Sequence, residues 1–309
     1  MNIVLTFDNS YTNHAAVVIT SLCLNNAGNH HFYVITDYIS NENKEVLLNL
    51  VNSFKSKLTI YNINISLLKD FPIGKGTTNT YVTLATYYRL FIIDVLPVEV
   101  NRVLYLDCDI VVNGSLDELW NFKFSSEENC IAGVEEQHVI AKNRSKALGY
   151  QEIYSYFNAG VLLIELEKMR KIYSSQKSIA FIKQNIDIIK FHDQDVLNAF
   201  FYDKKDFLPL TFNLLDIFLL RKSTIPSRYR NNLTTLKNPI IIHYSGPLKP
   251  WHKECKHPLK YLYYKYLSYT IWKDFRPSYK EKSIFKRYLY YIKSFIARIL
   301  FKKISIKTL

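Results

Sequence analysis

Glycine is scarce in this sequence, with 8 residues in 309, and there is no repeat of fixed period and no low-complexity tract. That argues against collagen-like, glycine-repeat and disordered chains. Cysteine is scarcer still: the four residues at 23, 108, 130 and 255 form no CxxC pair. They read as reduced thiols of a cytosolic protein rather than a disulfide framework. The opening MNIVLTFDNSY has no basic leader and no long apolar core, and an acid arrives at Asp8. No secretory signal peptide is expected from it. Apolar runs such as IVLTF and VLLI are strand-length, far short of a bilayer span. Outside the last segment the chain also lacks a strong charge of either sign. From Lys273 onward eleven Lys or Arg stand against Asp274 and Glu281, which is +9 of the net +13 and leaves +4 for residues 1–272. A body so mildly basic does not predict a nucleic-acid groove.

Apolar residues make up 48% of the chain, and aromatics are mostly Tyr and Phe, so a large core can be buried. Length alone suggests one large domain or two small ones. Strands are expected at 2–7, 31–36 and 57–63, and helices at 12–26 and 40–54, the second with Ser40 at its N-cap. Residues 74–80, GKGTTNT, read as a loop. A helix is expected over 82–96, stopped by Pro97, and a strand over 102–107. Strand–helix alternation with short links predicts an α/β fold, a Rossmann-like, mostly parallel sheet flanked by helices. After Trp120 the alternation loosens. Strands are expected at 130–135, 157–166 and 238–246, with a helix opening at 192 and irregular chain plus a helix up to about 270.

The chemistry is concentrated in three stretches. In VLYLDCDIVV, residues 103–112, a strand delivers Asp107 and Asp109 to the carboxyl edge of the sheet, where α/β folds bind ligands. Two carboxylates one residue apart suit a hard cation such as Mg2+ or Mn2+ that bridges to phosphate oxygens. A solvated turn explains the same acids less well, given the apolar approach and exit. DCDIV also fits the motif of haloacid dehalogenase-like phosphatases, with Asp107 as nucleophile, although that motif normally follows the first strand. In IHYSGPLKPWH, residues 242–252, His243 follows a strand, Gly246 permits close backbone approach and Lys249 can neutralise a diphosphate. In FHDQDVLNAFF, residues 191–201, three polar groups gather at a helix start. They fit N-capping by Asp193 or the recognition of hydroxyls.

Taken together, RVLYLDCDIVVNGSLDELW, FNAGVLLIEL, HDQDVLNAFF, IHYSGPLKPWH and TYYRL resemble glycosyltransferase family 8 in content, order and spacing. The likeness runs from residue 2 to about 255 and is greatest to bacterial galactosyl- and glucosyltransferases that extend lipopolysaccharide or lipooligosaccharide. It implies a GT-A fold and retaining transfer of a hexose, galactose or glucose, from a UDP-sugar. Mn2+ is the implied cofactor, with Mg2+ as the substitute. By motif, Asp107, Asp109 and His243 would ligate the metal, with Cys108 beside them in the donor pocket. Gly246 and Lys249 would hold the diphosphate, and Thr6, Asp8 and Tyr11 the uridine. Arg89 would lie near the donor sugar and diphosphate, and Asn158, Asp193 and Gln194 around the sugar and its acceptor. Gln194, Asp193 and Arg89 form the implied catalytic set.

Gln194 stands where the family places a side chain near the anomeric carbon. An amide is a poor nucleophile, so the resemblance favours front-face attack, with Asp193 and Asp195 as alternative nucleophiles. Glu135 stands where the family commonly has a sugar-contacting Asp, and Ser245 occupies a variable place expected on the acceptor side. The expected organisation is a catalytic domain at 1–272 and a basic tail at 273–309. In the tail, apolar residues from 284 to 300 follow helical spacing with Lys and Arg on the other face. Such a basic amphipathic helix can lie on an anionic membrane. It can also pack on its own domain or bind a partner. With a glycolipid acceptor, the membrane reading predicts a cytoplasmic protein, peripheral on the inner face of the cell membrane.

Overall fold

The computed structural model describes residues 1–73, 83–231, 233–280 and 283. The expected loop at 74–80 and the amphipathic segment from 284 onward lie outside the described residues.

The first half alternates as its patterning requires. Strands β1 (Asn2–Thr6), β2 (His31–Thr36) and β3 (Lys57–Asn62) are separated by helices Thr12–Asn25 and Asn41–Ser53. Ser40 does cap the second helix, accepting from the Asn43 N–H. Strand β4 (Arg102–Leu106) pairs with β1, and the four strands β3, β2, β1 and β4 are all parallel. β1, β2 and β4 are buried apart from their first residues because helices cover the sheet, whereas the edge strand β3 is only half-buried.

Residues 84–96 differ from expectation. Leu84–Phe91 winds as a 3-10 helix and only Ile92–Val95 is α-helical. Tighter winding eclipses side chains three apart. Thr86 and Arg89 are so aligned, and both reach Asp193.

The second half introduces antiparallel pairing. Strand β5 (Ile110–Val112) leaves the main sheet directly after the two acids. Strands β6 (Ile131–Glu135), β7 (Phe157–Glu165) and β8 (Lys205–Phe207) complete a seven-stranded sheet of order β3-β2-β1-β4-β7-β6-β8. β7 runs antiparallel to both β4 and β6. Its amino end therefore meets the carboxyl end of β4, with Gly160 O accepting from the Asp107 N–H. A smaller sheet of β9 (Leu214–Leu215), β10 (Ile241–His243) and β5 has the order β5-β10-β9. Because β10 is antiparallel to β5, with His243 opposite Ile110, the histidine lands beside Asp109. The long-range assembly of the site rests on this pairing.

Helix Lys260–Leu267 packs Tyr263, Tyr266 and Leu267 with Val17 of the first helix. Residues 273–280 stay on the body: Phe275 joins that cluster, and Ser278 N donates to Trp251 O. All four cysteines are free thiols. Among the described residues, no helix is long and apolar enough to cross a membrane.

Candidate active site

One cavity of about 640 Å3 opens at the carboxyl edge of the main sheet. Six stretches supply the walls of interest. Thr6, Asp8 and Tyr11 follow β1; Asp107, Cys108 and Asp109 follow β4; Asn158 and Gly160 begin β7. Thr86 and Arg89 come from the 3-10 helix, with Asp193 and Gln194 from helix His192–Phe201 beside them. His243, Ser245, Gly246 and Lys249 close the far side. Apart from Glu135, every residue that the resemblance placed at the donor thus lines a single cavity.

Asp107, Asp109 and His243 offer ligand atoms within 4.8 Å of one another. His243 Nε2 is 3.2 Å from Asp109 Oδ1 and 3.8 Å from Asp107 Oδ2. Asp109 Oδ1 is buried and makes no hydrogen bond. A buried carboxylate oxygen without a donor is costly, and a cation removes that cost. Two carboxylates and an imidazole are a donor set that Mn2+ accepts. Gly160 makes room for the group: a Cβ there would lie 2.2 Å from His243 Cε1. The residues present fit a divalent cation.

Two cations brace the acids. Arg89 donates from Nη2 to Asp107 Oδ1 at 2.7 Å and from Nη1 to Ala159 O at 2.6 Å, and its Nε lies 2.9 Å from Asp193 Oδ2. Burial opposes the guanidinium charge, but Asp107 and Asp193 outweigh it and hold the pKa above the ordinary value. Lys249 Nζ donates to Asp109 Oδ2 at 2.5 Å and to Tyr244 O at 2.7 Å. Burial alone would raise the Asp109 pKa, yet Lys249 and His243 hold it well below the usual carboxylate range. For His243 burial lowers the pKa, and the neighbouring Asp109 carries it above the ordinary value. Cys108 is different in kind. Its thiol is pushed up by burial and donates to Thr6 O at 3.8 Å, so it packs rather than ionises.

The catalytic candidates separate. Asp193 lines the cavity with both oxygens engaged, Oδ1 by the Thr86 hydroxyl and Oδ2 by Arg89. It does not cap its helix, whose N-cap is Phe191 without a side-chain bond. Burial raises its pKa against the pull of Arg89. Gln194 Oε1 accepts from the Ala159 N–H at 2.9 Å, which orients the amide. His192, just before them, has φ 51°. That left-handed value is unfavourable for a non-glycine residue, and it marks the sharp turn into this helix.

Two expectations are corrected. Asp195 is not available as a nucleophile: it is fully buried and off the cavity, paired with Arg144 through Nε–Oδ1 at 2.9 Å and Nη2–Oδ2 at 2.7 Å. It also accepts from Tyr156 OH and the Lys190 and Phe191 N–H groups, so it holds the turn before the helix. Glu135 does not face the donor pocket either. A register shift between Gly133 and Glu135 turns its carboxylate to Ser155 and Arg228. The adjacent Glu136 lines the cavity instead and accepts from Asn158 Nδ2 at 3.0 Å.

Sequence reasoning missed Glu136, Thr86, Gly160, Asp216 and Asn213. Gly160 did carry a signal, being a glycine inside an apolar strand. The others depend on tertiary pairing. Asp216 accepts from the Gly246 N–H at 3.1 Å, and burial pushes its carboxyl up to about 6.

The family model for glycosyl transferase family 8 matches residues 2–255. The chain belongs to that family. It is therefore a glycosyltransferase, and Asp107 is not the nucleophile of a dehalogenase-like phosphatase. The lipopolysaccharide 1,3-galactosyltransferase of Salmonella typhimurium is 30% identical over 88% of this chain and 79% of that protein. The lipopolysaccharide 1,2-glucosyltransferase of Escherichia coli is 28% identical over 90% of this chain and 80% of that protein. Among solved structures, the galactosyltransferase LgtC in complex with donor and acceptor sugar analogs superposes with a TM-score of 0.77. It is 25% identical, over 88% of this chain and 96% of that one. The mostly parallel sheet with flanking helices is its GT-A fold.

Proposed function

We propose that this protein transfers galactose or glucose from a UDP-hexose, with retention, to a glycan of the lipopolysaccharide or lipooligosaccharide type. The observation that carries the reading is the Asp107, Asp109 and His243 cluster, flanked by Arg89 and Lys249 in one cavity. Relatives that glucosylate or galactosylate lipopolysaccharide support both the acceptor class and the choice of hexose.

Each residue has a role in this reading. Asp107, Asp109 and His243 hold Mn2+, for which Mg2+ can substitute. The bound cation supplies positive charge that offsets the diphosphate. Lys249 and the Gly246 backbone neutralise and seat the diphosphate as it leaves, and Thr6, Asp8 and Tyr11 enclose the uridine. Cys108 packs between the acids. Arg89 fixes Asp107 and Asp193 with one guanidinium. Asn158, Glu136, Asp193 and Gln194 present acceptors and donors to the sugar hydroxyls.

Retention, which the family implies, needs either a side-chain nucleophile or front-face attack, and the site offers little to the first. Asp195 is sealed, Gln194 is an amide, and both oxygens of Asp193 are engaged. Front-face attack fits best: the acceptor oxygen bonds to the anomeric carbon on the face from which the phosphate oxygen departs. The acceptor proton passes to that leaving oxygen. The transition state is oxocarbenium-like.

Residues 1–272 carry the catalysis in this reading. Of the tail at 273–309, residues 273–280 pack on the body, and residues 283–309, with seven Lys or Arg and no acid, attach the enzyme to an anionic membrane on its cytoplasmic face. Removing residues 283–309 is expected to abolish pelleting with anionic vesicles while sparing turnover of a soluble acceptor. A truncated protein that still pellets would sink the tail assignment. The transfer itself is tested by incubating enzyme and Mn2+ with UDP-galactose or UDP-glucose and truncated lipopolysaccharide acceptors. UDP release with an α-linked product is expected. A β-linked product would refute retention, and turnover only with non-UDP donors would refute the donor.

A further inference from the structure

One polar chain runs from the cavity wall to His243, and a backbone group fixes its direction. The Gly160 N–H donates to Asn158 Oδ1 at 3.0 Å. That settles the Asn158 amide, whose Nδ2 then donates to Glu136 Oε2. Asn158 Oδ1 has a second lone pair, which takes Asn213 Nδ2 at 2.9 Å. The Asn213 amide is thereby settled too, and its Oδ1 faces His243 Nδ1 at 2.9 Å. An acceptor at that position requires a proton on Nδ1. In the neutral ring Nε2 is then the bare nitrogen, and Nε2 is the atom that faces Asp109 and Asp107.

We propose that Asn213 is a positioning residue that holds His243 in its metal-ligating tautomer and orientation, with Asn158 and the Gly160 N–H setting its polarity. The inference rests on the reading of Asp107, Asp109 and His243 as a cation site. Asn213 is placed for this role by the fold. It lies between the 3-10 turn Leu210–Phe212 and β9, one residue before β9 pairs with β10, and it is fully buried. It does not line the cavity, so a direct role in sugar recognition is excluded among the groups described. Asn158 occupies two roles, with its amide in the cavity wall and its oxygen in the chain to His243. A change at the sugar-facing wall would thus be felt at the metal ligand.

The test needs no turnover. Mn2+ binding to the full chain in the presence of UDP is measured by calorimetry for the wild type, Asn213→Leu and Asn213→Asp. Removing a partner that orients a metal-bound histidine typically weakens binding about 10–100-fold, and a loss in that range is expected for the leucine variant. The aspartate variant keeps an acceptor for the Nδ1–H but turns a second carboxylate oxygen to Asn158 Oδ1 in place of a donor, so it is expected to bind more tightly than the leucine variant. Equal affinity of wild type and Asn213→Leu overturns the inference while leaving the cation site intact. A wild type that binds no Mn2+ overturns the cation site itself. Imidazole nitrogen NMR on the wild type with Mg2+ and UDP removes dependence on a variant that folds poorly. A proton on Nδ1 of His243 is expected, and a proton on Nε2 alone refutes the assignment.

Discussion

Replacing Gly160 with alanine should disable the site without replacing any of the proposed metal ligands. The new Cβ would stand 2.2 Å from His243 Cε1, 2.8 Å from Nδ1 and 2.9 Å from Asp107 Oδ2. Ordinary contact begins at 3.4 Å. The imidazole must therefore shift by about 1.2 Å to restore ordinary contact. Its Nδ1 is tied to Asn213 and its side chain is 4% exposed, so retreat breaks a buried hydrogen bond. Overpacking of this kind typically costs about 1–3 kcal/mol of stability, which a chain of this size survives. A misplacement of about 1 Å at a reacting centre costs on the order of a hundredfold in rate. Gly160→Ala should then fold, melt somewhat lower, and lose about two orders of magnitude in kcat/KM with matching loss of Mn2+ affinity. Thermal unfolding and calorimetry with UDP and Mn2+ check both halves. A variant that binds Mn2+ and turns over like the wild type would refute the packing of His243 against this strand.

Three further outcomes follow. Glu136→Ala should depress transfer, whereas Glu135→Ala should chiefly loosen Arg228 and leave the UDP-sugar profile unchanged; steady-state kinetics of both with two donors separates them. Asp195→Ala strips Arg144 of its buried partner, a change that typically costs about 3–5 kcal/mol, and denaturant unfolding should show it. Near-wild-type stability there would contradict the structural role given to Asp195. Lys205 is held by burial at a pKa of about 7, below its ordinary value of 10.5. Between those values the unfolded chain holds the extra proton, so this group makes stability rise with pH from about 7 to about 10.5. Lys205→Met should raise the melting temperature most below pH 7, with the gain fading toward pH 10.5; a gain independent of pH would contradict the burial.

Much of the first half was legible because each segment there has a local cause. Buried strands alternate with helices, Ser40 caps its helix, and β4 ends in the two acids. The residues of the cavity were legible as stretches, since each stretch sits at a strand end or a helix start. What escaped was pairing. The antiparallel course of β7 and the second sheet are long-range choices, and they bring Gly160, Asn213 and His243 to Asp109 from across the chain. The motif match also misled at Glu135, where the family has its sugar-contacting Asp: one irregularity in β6 gives the cavity-facing place to Glu136. Asp195 reads like its neighbours in HDQDVLNAFF, yet the helix turns it inward to Arg144. The 3-10 winding of 84–91 was hidden because its apolar spacing is that of an α-helix.

The central claim is that the acids after β4 hold a cation against a UDP diphosphate. Thermal unfolding with UDP alone, Mn2+ alone and both together tests it without knowledge of sugar or acceptor. A ligand at a hundredfold excess over its Kd stabilises by about 2.7 kcal/mol. A large shift only with both present is the predicted result. The same shift with UDP alone, or a shift with Mn2+ and inorganic phosphate that UDP cannot reproduce, would contradict it.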